Sequence, residues 1–301
     1  MSVESLHKAQ AFLAALQNKD GGWGYTAEKR SYAEPTAYSL LALANYGAAA
    51  EREQRASRTL QWLAQQTGRA GVIELEKRAQ PEIDSFDLWG TIVSYFVLTK
   101  LKIGSELSAG YLKFLMQARG NKLNPQDVKG LNLDPTLQGW SWVMGTASWV
   151  EPTAYALLAL KSNGMQADER VKMGQEFLFD RACYEGGWNY GNKEVLTVKL
   201  DPMPTNTCFA LLALQDADRK HETIRKSVAY LEDELSKRQS SMLLALGALC
   251  LNIYGRPTQS LISSLIKRQS ENGSWRDNVH LTSLAALAID NEVNQRNIFK
   301  L

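Results

Sequence analysis

Several features that would each point to a function are missing from this chain. It carries three cysteines in 301 residues (Cys183, Cys208 and Cys250), widely spaced and without a Cys-x-x-Cys pair. An odd, scattered set argues against a disulfide framework. Neither sign of charge prevails: 34 basic and 32 acidic residues leave a net +2. No strongly basic face follows, so nucleic acid is a poor partner. The longest apolar run, Met242 to Leu251, is about half the ~20 residues a membrane span needs. The opening Met1-Ser2-Val3-Glu4 lacks the basic-then-apolar layout of an export signal. A Gly-rich phosphate loop, a Ser–His–Asp arrangement and a Cys-Gly-x-Gln motif are all absent. Together these absences lead us to expect a cytoplasmic protein, with a peripheral membrane contact left open. Nothing in the pattern sets an oligomeric state.

What is present is ordinary in amount and unusual in order. Hydrophobic residues make up 45% and charged residues 22%, enough for a sizeable core. Glu34-Pro35-Thr36-Ala37-Tyr38-Ser39-Leu40-Leu41-Ala42-Leu43 returns as Glu151-Pro152-Thr153-Ala154-Tyr155-Ala156-Leu157-Leu158-Ala159-Leu160. A third variant runs from Thr205 to Leu214, and looser copies start at Thr91, Ser240 and Leu281. These six segments are apolar nearly all round, which predicts helices buried on every side. Between them lie amphipathic segments at about 3–18, 53–66, 107–119, 168–182, 221–237 and 257–269. The alternation predicts an inner ring of helices inside an outer ring, with the first and last hairpins meeting to bury their apolar faces. The spacing of the inner segments is too irregular for an open solenoid. No Pro/Gly/Ser-rich linker divides the chain, so we expect one all-α domain over 1–301, an (α/α)6 toroid with a long insertion at about 120–150.

A second element recurs at the junction from outer to inner helix. Lys8-Ala9, Phe12-Leu13, Gln17 and Gly21-Gly22-Trp23 form one copy; Leu265, Gln269, Gly273 and Trp275 form another. Phe177-Leu178 with Gly186-Gly187-Trp188 is a third, while Gln65 and Gln117 mark copies that lack the Gly-x-Trp. A Gln at a helix end satisfies exposed backbone groups, the glycines turn tightly, and the Trp locks adjacent hairpins.

These residues resemble the QW repeats of the squalene cyclase and protein prenyltransferase β-subunit superfamily. The resemblance implies an aromatic-lined cavity acting on isoprenoids or other long apolar substrates. Triterpene cyclases carry Asp-x-Asp-Asp-Thr-Ala at the start of an inner helix, its third position protonating the alkene. Tyr32-Ala33-Glu34-Pro35-Thr36-Ala37 and Trp149-Val150-Glu151-Pro152-Thr153-Ala154 stand in that register, which places Glu34 and Glu151 in the acid's column. The two supporting aspartates are aromatic and proline here, so each Glu lacks a neighbouring carboxylate to position its proton. The prenyltransferase zinc set is Asp, Cys and His. Cys208 fits, but Asn206 and Val279 stand in the other two columns, with His280 one residue away. That is too few ligands, and we expect no metal.

Each candidate has a plainer reading beside the functional one. Glu34 and Glu151 precede a proline in a first helical turn, where an acid complements the helix dipole. Asp84 and Asp87 precede the second inner helix; they are candidate acids, would hold a diphosphate through Mg²⁺ if the substrate had one, or would cap the helix. Trp140, Trp142 and Trp149 crowd the end of the insertion, either as an aromatic wall for a cation or as packing. Tyr32, Trp89, Tyr25 and Tyr190 are weaker members of that set. His280 begins the sixth inner helix, as a ligand contact or a structural histidine. Cys208 sits among Ala and Leu as a cavity residue or a small hydrophobe. The expected activity is acid-initiated carbocation chemistry on an isoprenoid; the alternatives are a non-catalytic lipid- or protein-binding toroid and, less favoured, zinc-dependent prenyl transfer.

Overall fold

A computed structural model describes residues 2–74, 86–126, 128 and 131–301. Among them are twelve helices: α1 (Ser2–Ala15), α2 (Ala33–Ala42), α3 (Ala49–Gln66), α4 (Leu88–Leu101), α5 (Ser105–Gln117), α6 (Val150–Ser162), α7 (Glu169–Asp180), α8 (Pro204–Ala213), α9 (Glu222–Lys237), α10 (Ser241–Ile253), α11 (Gln259–Ile266) and α12 (Val279–Asn294). Two short antiparallel ladders join them, β1 (Ile73–Glu74) with β2 (Phe86–Asp87) and β3 (Glu194–Val195) with β4 (Val198–Lys199). Asp84 lies outside the described residues.

The even-numbered helices form the inner ring. Each packs on the next in the order α2, α4, α6, α8, α10, α12, and α12 packs back on α2. The odd-numbered helices form the outer layer, α1 against α12, α3 against α2, α5 against α4, α7 against α6, and α9 and α11 against α8, α10 and α12. The protein is therefore an all-α (α/α)6 toroid. Burial follows composition: from Pro152 to Lys161 every residue of α6 is buried, while α3 buries Thr59, Trp62 and Leu63. The ring closes through polar contacts as well. Ser5 donates to Gln269 Oε1 at 2.6 Å, Gln269 Nε2 donates to the Ser5 carbonyl at 2.9 Å, and the Ser39 and Ser283 hydroxyls meet at 3.1 Å.

One joint is built four times. Trp23, Trp140, Trp188 and Trp275 are each fully buried. Their indole N–H groups donate to the carbonyls of Leu13, Leu115, Leu178 and Leu265, and their backbone N–H groups donate to the hydroxyls of Thr36, Thr153, Thr207 and Thr282. Each joint thus ties the outgoing end of an outer helix to the first turn of the next inner one. Gln17 and Gln269 also reach the glycine carbonyl four residues on, at 2.9 Å each. The α5 junction, expected to lack its tryptophan, has one: Trp140 reaches back from the far side of the insertion. Arg170 of α7 lies 3.4 Å from the centroid of that ring and donates to the Gln138 and Gly139 carbonyls.

Candidate functional site

The four joint threonines, with Thr91 at the same place in α4 accepting the Ile73 N–H at 2.9 Å, align five inner helices. Two residues before Thr36, Thr91, Thr153, Thr207 and Thr282 stand Glu34, Trp89, Glu151, Thr205 and His280. This column begins the first turn of five inner helices, and the starts of α2, α4 and α12 converge on Glu34. Its Oε1 accepts the Trp89 indole N–H at 3.1 Å, and its Oε2 accepts the Tyr25 hydroxyl. His280 Nδ1 is 3.8 Å from Oε2. Tyr25 arrives from the loop before α2, whose carbonyl also accepts the Val279 N–H of α12 at 2.8 Å. Thus the supporting groups come from other elements rather than from a neighbouring carboxylate in the same motif.

The charge of Glu34 is felt around the rim. Burial, reinforced by Glu34, pushes the Glu151 carboxyl up to about 8, so it holds its proton at neutral pH. Asp87 is also raised, first by burial, although the Gly90 N–H it accepts at 2.7 Å opposes the shift and Glu34 adds to it. That hydrogen bond makes Asp87 the N-cap of α4. Tyr25 is raised by burial and by Glu34, and remains a neutral donor. His280 sits close enough for an ion pair, but burial outweighs the pull of Glu34 and lowers its pKa. The imidazole is therefore neutral beside the carboxyl at pH 7.

Beneath the carboxyls lies an aromatic layer. Trp89 meets Trp142 at 4.6 Å and Tyr155 edge-on at 5.0 Å. Tyr155 meets Phe209 at 4.9 Å and Tyr38 edge-on at 6.4 Å, and Tyr38 meets His280 at 4.7 Å. Tyr38, Tyr155 and Phe209 share one column, two residues beyond the joint threonine. Trp89 and Trp142 of this layer were expected from the sequence; Tyr38, Tyr155 and Phe209 were missed, although the twin repeats put a tyrosine one turn below each glutamate.

The remaining candidates are dispersed. Trp140, expected on an aromatic wall, is 0% exposed and engaged in the α5–α6 joint, so it does not reach the rim. Trp149 packs on Tyr190 at 6.4 Å and lines a separate cavity of about 150 Å³ with Leu137, Phe177 and Arg181. Tyr32, 38% exposed, stacks under Arg30, packs on Tyr25 at 5.4 Å, and lines an open cavity of about 250 Å³ with Asp20, Glu74 and Asp87 beside the starts of α2 and α4. Cys208 is fully buried beside Cys250 of the next inner helix, away from the rim column. Asn206 is also buried, its amide donating to the Asn189 carbonyl at 3.1 Å. Among the described residues, no three His, Cys, Asp or Glu side chains stand together as a metal site. No helix there is long and apolar enough to cross a membrane.

No protein-family model matches the chain, and comparison with curated proteins finds no match. Solved structures do match it. A protein from Actinoplanes has TM-score 0.66 and 15% identity, over 97% of this chain and all of that one. The type II terpene cyclase MstE from Scytonema has TM-score 0.66 and 13% identity over 98% of each chain; a variant of it in complex with geranylgeranyl dihydroxybenzoate has TM-score 0.64. A novel alpha-amylase from Clostridium perfringens has TM-score 0.64 and 13% identity over 96% of this chain and 97% of that one. At these identities the likeness extends to the fold alone: this chain has the toroid fold that a type II terpene cyclase also uses.

Proposed function

We propose that this protein is a terpene-cyclase-like enzyme that starts carbocation chemistry on an apolar, isoprenoid substrate by proton transfer from Glu151. The observation that carries this reading is the pair of rim carboxyls. One is neutral at pH 7, and the other is held by two donors, both above an aromatic layer. An acid whose pKa lies near the operating pH is loaded and still able to give its proton up. In this reading the π electrons of a substrate double bond take the Glu151 proton as a new C–H bond, leaving a cation on the adjacent carbon. A second double bond closes on that cation. Trp89 and Trp142, the partly exposed rings of the layer, offer the positive charge about 0.5–2 kcal/mol each, with Tyr38 and Tyr155 packed behind them. The Glu34 carboxyl, fixed by Tyr25 and Trp89, adds a preorganised negative charge. A carbon beside the final cation then gives its proton to water, and Glu151 takes a proton back from solvent, so product and substrate are isomers. An acid of this strength favours a polarised double bond or an epoxide as its first target.

The test is turnover of linear prenyl substrates and their epoxides in D₂O. From an alkene a cyclised isomer with one carbon-bound deuterium is expected, and from an epoxide a cyclised alcohol whose acid-derived deuterium sits on the exchangeable hydroxyl. Glu151→Gln, which keeps size but removes the acidic proton, should slow turnover about 10²- to 10⁴-fold. Full turnover in Glu151→Gln would sink the assignment of the acid to Glu151, and full turnover in Glu34→Gln would remove the supporting role of Glu34. Tight binding of the prenyl chain without any turnover would instead make this a lipid-binding toroid.

A further inference from the structure

One hairpin projects from the carboxyl end of the ring. It interrupts the loop from α7 to the start of α8, where β3 and β4 pair Glu194 with Lys199 and Val195 with Val198, and the Leu200 N–H donates to the Lys193 carbonyl at 3.0 Å. Its base is tied down. The Val150 N–H at the start of α6 donates to the Tyr190 carbonyl at 3.0 Å, and the Tyr184 hydroxyl donates to Glu194 Oε2 at 2.6 Å. Lys199 Nζ lies 5.0 Å from the centroid of the same tyrosine ring. Successive strand residues point to opposite faces. Glu194 and Lys199 therefore face Tyr184, while Val195 and Val198 face away from it, with Leu196 and Thr197 as the turn. Leu196 is 79% exposed, Val198 62% and Tyr190 51%. Among the described residues six large apolar side chains are exposed, and these three fall within nine residues of chain.

The turn is poorly chosen for a turn alone. Both central residues have positive φ, +49° at Leu196 and +67° at Thr197. A two-residue hairpin loop of that kind favours Asn-Gly, and a β-branched threonine is badly suited to it. Polar residues there would relieve the strain and take an aliphatic side chain out of water. An aliphatic tip kept at both costs points to a contact. We propose that this hairpin is a lipid-insertion tip, with Leu196 and Val198 entering the acyl boundary of a phospholipid surface and Tyr190 at head-group level. Size separates lipid from protein as the occupant. A stable protein interface takes roughly 20–30 residues a side, and the apolar part here is three side chains. Peripheral insertion needs only about 5–10 Å of depth. Lys199 stands two residues back from the turn, roughly 7 Å along the strand, where its ammonium meets lipid phosphates. The Glu194 carboxylate is engaged by Tyr184 and Asp201 lies beyond the ladder, so the free charge nearest the tip is cationic. The contact does not depend on the chemistry proposed above. It places the end of the ring that carries Glu34 and Glu151 beside a bilayer, where apolar molecules dissolve.

The test is co-sedimentation of the full chain with vesicles of equal parts phosphatidylcholine and phosphatidylglycerol. The parent protein should pellet with them, and more weakly with phosphatidylcholine alone. Leu196→Asn should lower the partition at least tenfold, a factor that burial of one leucine side chain supports, and Val198→Thr should lower it as well. Asn tolerates positive φ, so the melting temperature of Leu196→Asn should equal or exceed the parent's, and unfolding then does not account for lost binding. Cys183, Cys208 and Cys250 are buried, so an environment-sensitive fluorophore on Leu196→Cys labels the tip selectively. Its emission should shift to the blue when vesicles are added. No sedimentation of the parent, equal sedimentation of Leu196→Asn, or an unshifted label would overturn the proposal. Self-association of the parent that Leu196→Asn abolishes would assign the tip to a second copy of the chain and overturn it too. Vesicle binding without turnover of any prenyl substrate would uphold the lipid contact and count against the proposed chemistry alone.

Discussion

At the residue scale the governing fact is a proton held where water would remove it. A carboxyl buried without a cation beside it keeps its proton until well above the ordinary Glu range, and Glu151 does so up to about 8. Stability and pH are linked through this shift. Between the unfolded value near 4.5 and the folded value near 8, the native state holds a proton that the unfolded chain has released. The contribution is fully present below the lower value and is lost as pH rises through the upper one. We expect the parent protein to lose up to a few kcal/mol between pH 5 and 8 through this group, and Glu151→Gln to be flatter over the same window. Urea titrations at each pH measure this; equal slopes in the two proteins would count against it. Glu34 and Glu151 were legible as candidates because their repeats are nearly identical. Tyr25 was legible as an aromatic residue but not as a donor to Glu34, because it reaches the rim from a loop whose path no periodicity fixes.

At the scale of elements the Trp–Thr joint is the repeating unit of construction. Trp140 illustrates what spacing conveys and what it conceals. In the other three joints the indole bonds a carbonyl ten residues earlier; here the partner, Leu115, lies 25 residues back. The insertion broke the spacing template while leaving the joint intact, so the sequence pattern read as a missing copy with three spare tryptophans. Inner and outer helices were legible because all-round apolarity and a single apolar stripe are different patterns. Thr153→Val keeps the shape but removes the acceptor of the buried Trp140 N–H. A cost of about 1–3 kcal/mol is expected, as for any orphaned buried donor, seen as a lower urea midpoint with an unchanged slope. A midpoint within error of the parent's would mean that another group takes over the bond. Gly21 shows the joint's tightness from the backbone side. Its φ is +99°, and a Cβ there would overlap the Arg58 carbonyl of the next outer helix.

At the scale of the whole molecule, closure removes the loose ends that a stack of hairpins would have. Every inner helix has an inner neighbour on both sides, including α2 and α12. An open array frays from its terminal repeats, whereas a closed one must break two interfaces to release any hairpin. We expect amide exchange in α2 and α12 to be as slow as in α6 or α8, and urea unfolding to follow one transition by fluorescence and circular dichroism. Early exchange confined to α2 and α12 would show that the seam opens first.

The seam is made by the same glycine joint as the interior. Gly273, at φ +89°, lies against the Lys8 carbonyl of α1 as Gly21 lies against Arg58. Yet α11 and α1 stand at opposite ends of the chain, so this joint holds with no peptide bond leading directly across it. The native molecule is in this respect already a case of fragment complementation, with one point of its circumference assembled by docking alone. A chain cut at another outer loop would ask of a second joint what the seam already supplies, and the two pieces should recognise each other by the same tryptophan, threonine and glycine contacts.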